Sequence, residues 1–156
     1  MKNKDKVKIL VVCMGNICRS PTGEAVLRAK ASQLGLDIEV DSAGTIGFHQ
    51  DSPPDPRSQQ VANQQGYSFK GIKSRKVESR DFDYFDYILA ADNANMADLK
   101  AQCPNHHRHK LSLFLSHGDS DYSEIPDPYY GGDNGFELVL GLIEQASDEI
   151  LSKLAS

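Results

Sequence analysis

Cysteine is scarce in this chain, with three among 156 residues, Cys13, Cys18 and Cys103. An odd, sparse count excludes the disulfide framework of a small secreted domain and fits a reducing compartment. Long apolar runs are absent too. The stretch Ile9 to Val12, behind the lysines of "MKNKDKVKILVVC", is too short for the core of a signal peptide, and nothing approaches a membrane span. The expected location is therefore cytoplasmic. Positive charge is also in deficit, with a net charge of −5. That argues against a general binder of nucleic acid or anionic membrane, which needs a basic face. Any anion site must be assembled locally. Internal repeats and low-complexity tracts are missing as well.

The 39% hydrophobic and 25% charged residues suit a globular chain. Its length suits a single domain over 1–156 with a substantial core. Val7 to Cys13 reads as a buried strand, followed by a polar loop over 14–19. Ser20 as N-cap and Pro21 at the first helical position open a helix to about Leu34, stopped by Gly35. Ile38 to Ser42 is a second strand, followed by a loop over 43–54. Asp55, Pro56 and Gly66 bracket a second helix. Tyr87 to Ala91 is a third strand. Asp92 caps a helix with Met96, Leu99 and Cys103 on one face, ending before Pro104. Leu111 to Phe114 is a fourth strand, and 116–132 a polar loop. The last helix, from Asn134 to Leu154, carries Phe136, Val139, Leu140, Ile143, Ile150 and Leu154 as its apolar stripe, with Asn134 and Glu137 as a capping box. Alternating strands and helices predict an α/β fold, a parallel sheet with helices on both faces. In such sheets the ligand site lies beyond the carboxyl ends of the strands, where Cys13 falls.

The segment "VVCMGNICRSPTGEAVL" then needs explaining. Its loop enters a helix N-terminus, where successive backbone N–H groups form a nest for an anion. Gly15 admits unusual backbone angles, and Asn16 tolerates the left-handed region. Arg19 brings a planar fork of donors matched to phosphate oxygens. The same positive partial charges favour a thiolate at Cys13, to which Ser20 can donate its hydroxyl. The loop thus both holds a phosphate and aims a nucleophile at it. A displaced phenolate or alkoxide needs a proton. Asp127 in "EIPDPYYGG" is the candidate acid, beside the aromatic residues Tyr129 and Tyr130. Asp92 competes but suits an N-cap better, and His49, His106, His107, His109 and His117 have no positional argument. The plainer alternatives are a structural strand cysteine at Cys13, space filling at Cys18, and an ordinary Asp-Pro turn at Asp127. The cluster "CPNHHRH", with Cys103, His106, His107 and His109, fits no standard zinc spacing and reads as a solvated basic loop, so no metal site is expected there. The acidic run around Asp119, Asp121 and Glu124 reads as a solvated loop.

"CMGNICRSP", "DSAGT", "PPDPRS", "KSRKV", "AADNAN" and "DPYY", in this order over nearly the whole chain, resemble the segments of the low-molecular-weight protein tyrosine phosphatase family. The resemblance implies a four-stranded parallel sheet flanked by helices. It implies Cys13 as nucleophile, Arg19 as phosphate clamp and Asp127 as general acid, with no cofactor. Met14, Gly15, Asn16, Ile17, Cys18 and Ser20 complete the phosphate loop, supported by Ser42 and Asp92. Phe48, Tyr129 and Tyr130 would line the rim, and Cys18 would form a disulfide with Cys13 on oxidation. Implied partners are phosphotyrosine-containing proteins, a bacterial tyrosine kinase among them, with phosphate-like anions as inhibitors. Two rivals stand beside this reading. A thioredoxin-coupled arsenate reductase also uses Cys-x5-Arg, but relays electrons through further downstream cysteines, and here Cys103 alone follows the loop. The other rival is a phosphate-binding module without turnover.

Overall fold

The computed structural model describes residues 6–47, 51–128 and 134–155. Val- and Ile-rich β1 (Val7–Cys13) occupies an interior position of a four-stranded parallel sheet of order β2-β1-β3-β4. Its partners are β2 (Ile38–Gly44) on one side and β3 (Tyr87–Ala90) on the other, with β4 (Leu111–Leu113) at the far edge. Side chains alternate across the sheet, so β1 feeds two cores. Ile9, Val11 and Cys13 face α1 (Arg19–Gln33), α2 (Pro56–Gln64) and α5 (Gly135–Ala155), while Leu10 and Val12 face α3 (Ser79–Tyr84) and α4 (Asn93–Gln102). Three layers result, as predicted. Among the described residues no helix is long and apolar enough to cross a membrane.

The chain leaves β1 toward β2, then crosses back to place β3 on its other flank. The carboxyl ends of β1 and β3 therefore flank the switch point at which ligands bind in open α/β sheets. Asp55 caps α2 through the Arg57 N–H, and Asp92 caps α4 through the Asn95 N–H, both 2.8 Å, as their sequence positions suggest. Gly35, at φ +71°, stops α1.

Several expectations are corrected. Helix α1 starts at Arg19 with Cys18 at its N-cap, so Ser20 is a first-turn residue rather than the cap. The cap carbonyl of Cys18 accepts from the Thr22 hydroxyl at 2.7 Å, and the Ser20 hydroxyl is turned to Cys13 instead. Strand β2 runs on to Gly44 because Gly44 is held from both sides, pairing with Cys13 and accepting from the Val77 N–H. Phe114 opens a 3-10 turn (Phe114–His117) instead of ending β4. The histidine-rich stretch is a 3-10 segment, Asn105–Lys110, rather than a loop, and α3 has no counterpart in the sequence reading.

Candidate active site

Cys13 closes β1 and is 3% exposed. Its Sγ lies 3.0 Å from Ser20 Oγ, and the Ser20 backbone N–H points at it from 3.4 Å. Between them the loop turns on Asn16, fully buried at φ +58°, a conformation Asn tolerates better than most residues. Every polar group of the Asn16 side chain is engaged. Its Oδ1 accepts from the Arg75 N–H at 2.9 Å, and its Nδ2 donates to Ser20 Oγ at 2.8 Å and to Ser42 Oγ at 3.0 Å. Asn16 supplies a hydrogen to Ser20, and the serine's own proton has two acceptors in reach, Cys13 Sγ at 3.0 Å and the Ala43 carbonyl at 3.5 Å, the sulfur being the nearer. Because Asn16 supplies another to Ser42, that hydroxyl donates onward to Glu24 Oε1, at 2.7 Å. One hydrogen-bond chain thus runs from buried Glu24 to Cys13.

The loop's carbonyls are tied outward. Those of Cys13, Met14 and Ile17 accept from the backbone N–H groups of Thr45, Ile46 and Asp55 at 3.0, 3.1 and 2.7 Å. Arg19 is 7% exposed, and its Nη1 donates to Asp92 Oδ2 and to the Ile125 carbonyl, each at 2.9 Å. Both Asp92 oxygens are therefore acceptors, one for its own helix cap and one for Arg19. Asp127, half-buried, lines the same cleft as Met14, Arg19 and Asp92, a space of about 330 Å³.

The structure brings Cys13, Arg19, Ser20, Asn16, Ser42, Asp92 and Asp127 to one end of the sheet. Gly15, Ile17 and Cys18 complete the loop, and Cys13 and Cys18 are both buried free thiols. Phe48, Tyr129 and Tyr130 lie outside the described residues, as does His49. Of the histidines that lacked a positional argument, His106, His107 and His109 belong to the segment before β4, at the opposite end of the sheet, and His117 lies just past β4, bonded to Ser112.

Sequence reasoning missed the layer beneath the loop. Burial raises the Glu24 carboxyl above its ordinary range, against the lowering effect of the Ser42 hydroxyl and the Arg28 charge. Burial lowers the Arg75 guanidinium, but hydrogen bonds and charge from Asp81 and Asp41 outweigh it, so the net shift is upward. Arg75 bonds Asp41 Oδ2 at 3.1 and 3.2 Å and Asp81 at 3.0 and 3.1 Å while its backbone holds Asn16. The available signal for Glu24 was its spacing, four residues after Ser20 on the same helix face.

These features define a class: an α/β protein with a Cys-x5-Arg loop folded around a helix N-terminus at the sheet's switch point. Comparison with known proteins narrows it. The family model for low molecular weight phosphotyrosine protein phosphatase matches residues 8–156. The low molecular weight protein-tyrosine-phosphatase YfkJ of Bacillus subtilis is 38% identical over 151 residues, covering 95% of this chain and 96% of that protein. The low molecular weight phosphotyrosine protein phosphatase of Schizosaccharomyces pombe is 40% identical over 134 residues, covering 83% and 85%. A crystal structure of a protein tyrosine phosphatase from Entamoeba histolytica, with Hepes in its active site, superposes with a TM-score of 0.92 at 39% identity, covering 96% of this chain and 97% of that one. The chain belongs to the low-molecular-weight protein tyrosine phosphatase family, hydrolases acting on phosphotyrosine.

Proposed function

We propose that the chain hydrolyses phosphotyrosine through a phosphocysteine intermediate. The observation that carries this is Cys13 Sγ at the mouth of α1, 3.0 Å from the Ser20 hydroxyl and 3.4 Å from the Ser20 backbone N–H, at the end of a Cys-x5-Arg loop. The Ser20 hydroxyl and the Ser20 N–H both stand against the sulfur, which sits at the N-terminus of α1. With its carbonyls held outward, the loop presents N–H groups to the phosphate in its interior. Arg19 adds charge to the same oxygens.

The Cys13 thiolate attacks phosphorus in line, the S–P bond forms and the P–O bond to the phenol breaks. Loop amides and Arg19 bind the three equatorial oxygens throughout. Asp127 gives its proton to the departing phenolate oxygen. The Asp127 carboxylate then takes a proton from the attacking water, the S–P bond breaks, and phosphate and thiolate are released. Asp92 is not the acid in this scheme, because both its oxygens already accept hydrogen bonds. The substrates are phosphotyrosine-bearing proteins, a tyrosine kinase among them, and a reducing cytoplasmic setting fits three free thiols.

Cys13→Ser tests the assignment. It should abolish turnover of aryl phosphates yet still bind phosphate or vanadate, because amides and Arg19 hold the anion. Retained steady-state hydrolysis by a pure Cys13→Ser preparation overturns the nucleophile, and lost anion binding in a folded variant overturns the loop's role.

A further inference from the structure

The histidine-rich segment has a role to spare. Asn105–Lys110 winds as a 3-10 turn ahead of β4, at the amino ends of the strands, away from the phosphate loop. There it meets the C-terminal turn of α3. His107 Nε2 lies 2.7 Å from Asp83 Oδ1, and the His106 and His107 rings are 4.1 Å apart between centroids. One ligand atom from each of Asp83, His106 and His107 falls within 4.8 Å of the other two. Two adjacent ligands at metal–ligand bonds of about 2.0–2.2 Å stand roughly 3 Å apart, so the Asp83–His107 pair already has near-ligand spacing. His106 and Asp83 are exposed and can close the rest by side-chain rotation. His107 Nδ1 is buried without a hydrogen-bond partner among the described residues, so His107 has one unused polar atom in this arrangement.

We propose that Asp83, His106 and His107 form a site for a borderline transition-metal dication, with Zn2+ as the representative ion. Two imidazoles and one carboxylate suit zinc, cobalt, nickel or copper, whereas magnesium and calcium require all-oxygen ligands. Three protein ligands leave a position for water. Cys103 and His109, grouped with these histidines by sequence, are not part of the cluster. Cys103 is buried at the end of α4, directed at the Pro104 carbonyl. Two cations stand nearby and moderate the affinity. Lys110 Nζ donates to the Phe82 and Asp83 carbonyls, and Arg108 to the Lys100 carbonyl. A bound ion would link α3 to the segment before β4 without touching the phosphate loop.

The test titrates the full chain, in a Cys13→Ser background, with Zn2+ by calorimetry and with Co2+ by visible absorption. The Cys13→Ser change removes the thiol most able to compete for metal. Saturable micromolar binding with one equivalent, and Co2+ bands without thiolate charge transfer, are expected. Losing even an outer partner of a metal ligand costs ~10–100-fold in affinity. Asp83→Asn, His106→Gln and His107→Gln should each weaken binding at least that much, with thermal melting confirming that the metal-free variants fold. His106→Gln in the otherwise wild-type enzyme should leave turnover of aryl phosphate unchanged. Equal affinity in parent and variants, a thiolate band, or no saturation overturns the site.

Discussion

At the scale of single residues, the division of labour between two aspartates is the informative contrast. Asp92 and Asp127 line one cleft, but Asp92 is committed to its helix cap and to Arg19. Asp127, assigned as the acid, is the residue whose loss should depend on the leaving group. Tyrosine-like phenols, with pKa near 10, gain most from protonation as they depart. Asp127→Ala should slow their release by the ~10²–10⁴-fold typical of general acid catalysis. Strongly acidic phenols should lose much less. Single-turnover rates across a series of aryl phosphates check this. A uniform loss across the series removes Asp127 from the proton transfer.

At the scale of elements, α5 supports the loop that carries Asp127. A Cβ added at Gly135 would stand 2.5 Å from the Pro128 carbonyl oxygen, next to Asp127 in sequence. Gly135→Ala must push that segment away, at roughly 1–3 kcal/mol of overpacking. Its kinetic signature should resemble Asp127→Ala, with phenol-like leaving groups hurt most, whereas unchanged kinetics would mean that the segment yields freely. The phosphate loop offers a second element-level test, because it places two thiols in one short turn. Oxidised Cys13 should be captured by Cys18 as a disulfide and spared irreversible over-oxidation. After peroxide and then reductant, wild type should recover more activity than Cys18→Ser, and equal recovery removes the protective role.

What could be read from sequence follows from where the determining contacts lie. Strand β1, helix α2 and the phosphate loop were legible because their signals are local: a Val/Ile run, an Asp-Pro start, and a cysteine and arginine in one turn. Helix α3 was not, since six residues give too little periodicity and its support comes from Asp81, which accepts from the Glu78 N–H and pairs with Arg75. The start of α1 was misread because Ser20 resembles a cap by type but spends its hydroxyl on Cys13. The link from Glu24 through Ser42 depends on the β1–β2 register, which aligns Val11 with Ser42 and is written in neither strand alone.

At the scale of the whole molecule, that same Glu24 should leave a mark on stability. Its carboxyl is raised above the ordinary value by burial, so the folded chain holds this proton more tightly than the unfolded chain. As pH rises above about 4.3, where a free glutamate titrates, the unfolded state releases the proton first, and the contribution of Glu24 to stability falls until the folded carboxyl also ionises. Glu24→Gln should flatten that decline. Urea midpoints of both proteins through the weakly acid range measure it, and parallel slopes would mean that Glu24 is not the group responsible.

The order β2-β1-β3-β4 leaves two strand edges to manage, and exposed edges invite other chains to add a strand. Strand β4 offers three residues, bracketed by 3-10 turns, too short a template for a foreign backbone. The longer β2 edge is closed at its carboxyl end, where Gly44 bridges Lys76, donates to the Arg75 carbonyl and accepts from the Val77 N–H. Farther back it carries Glu39 and Asp41 on one face, Glu39 bonded to the Tyr84 hydroxyl and Asp41 paired with Arg75. The segment that steadies Asn16 under the phosphate loop therefore also blunts cross-β growth: the few backbone bonds of Arg75 to Val77 both brace the loop and close the sheet edge.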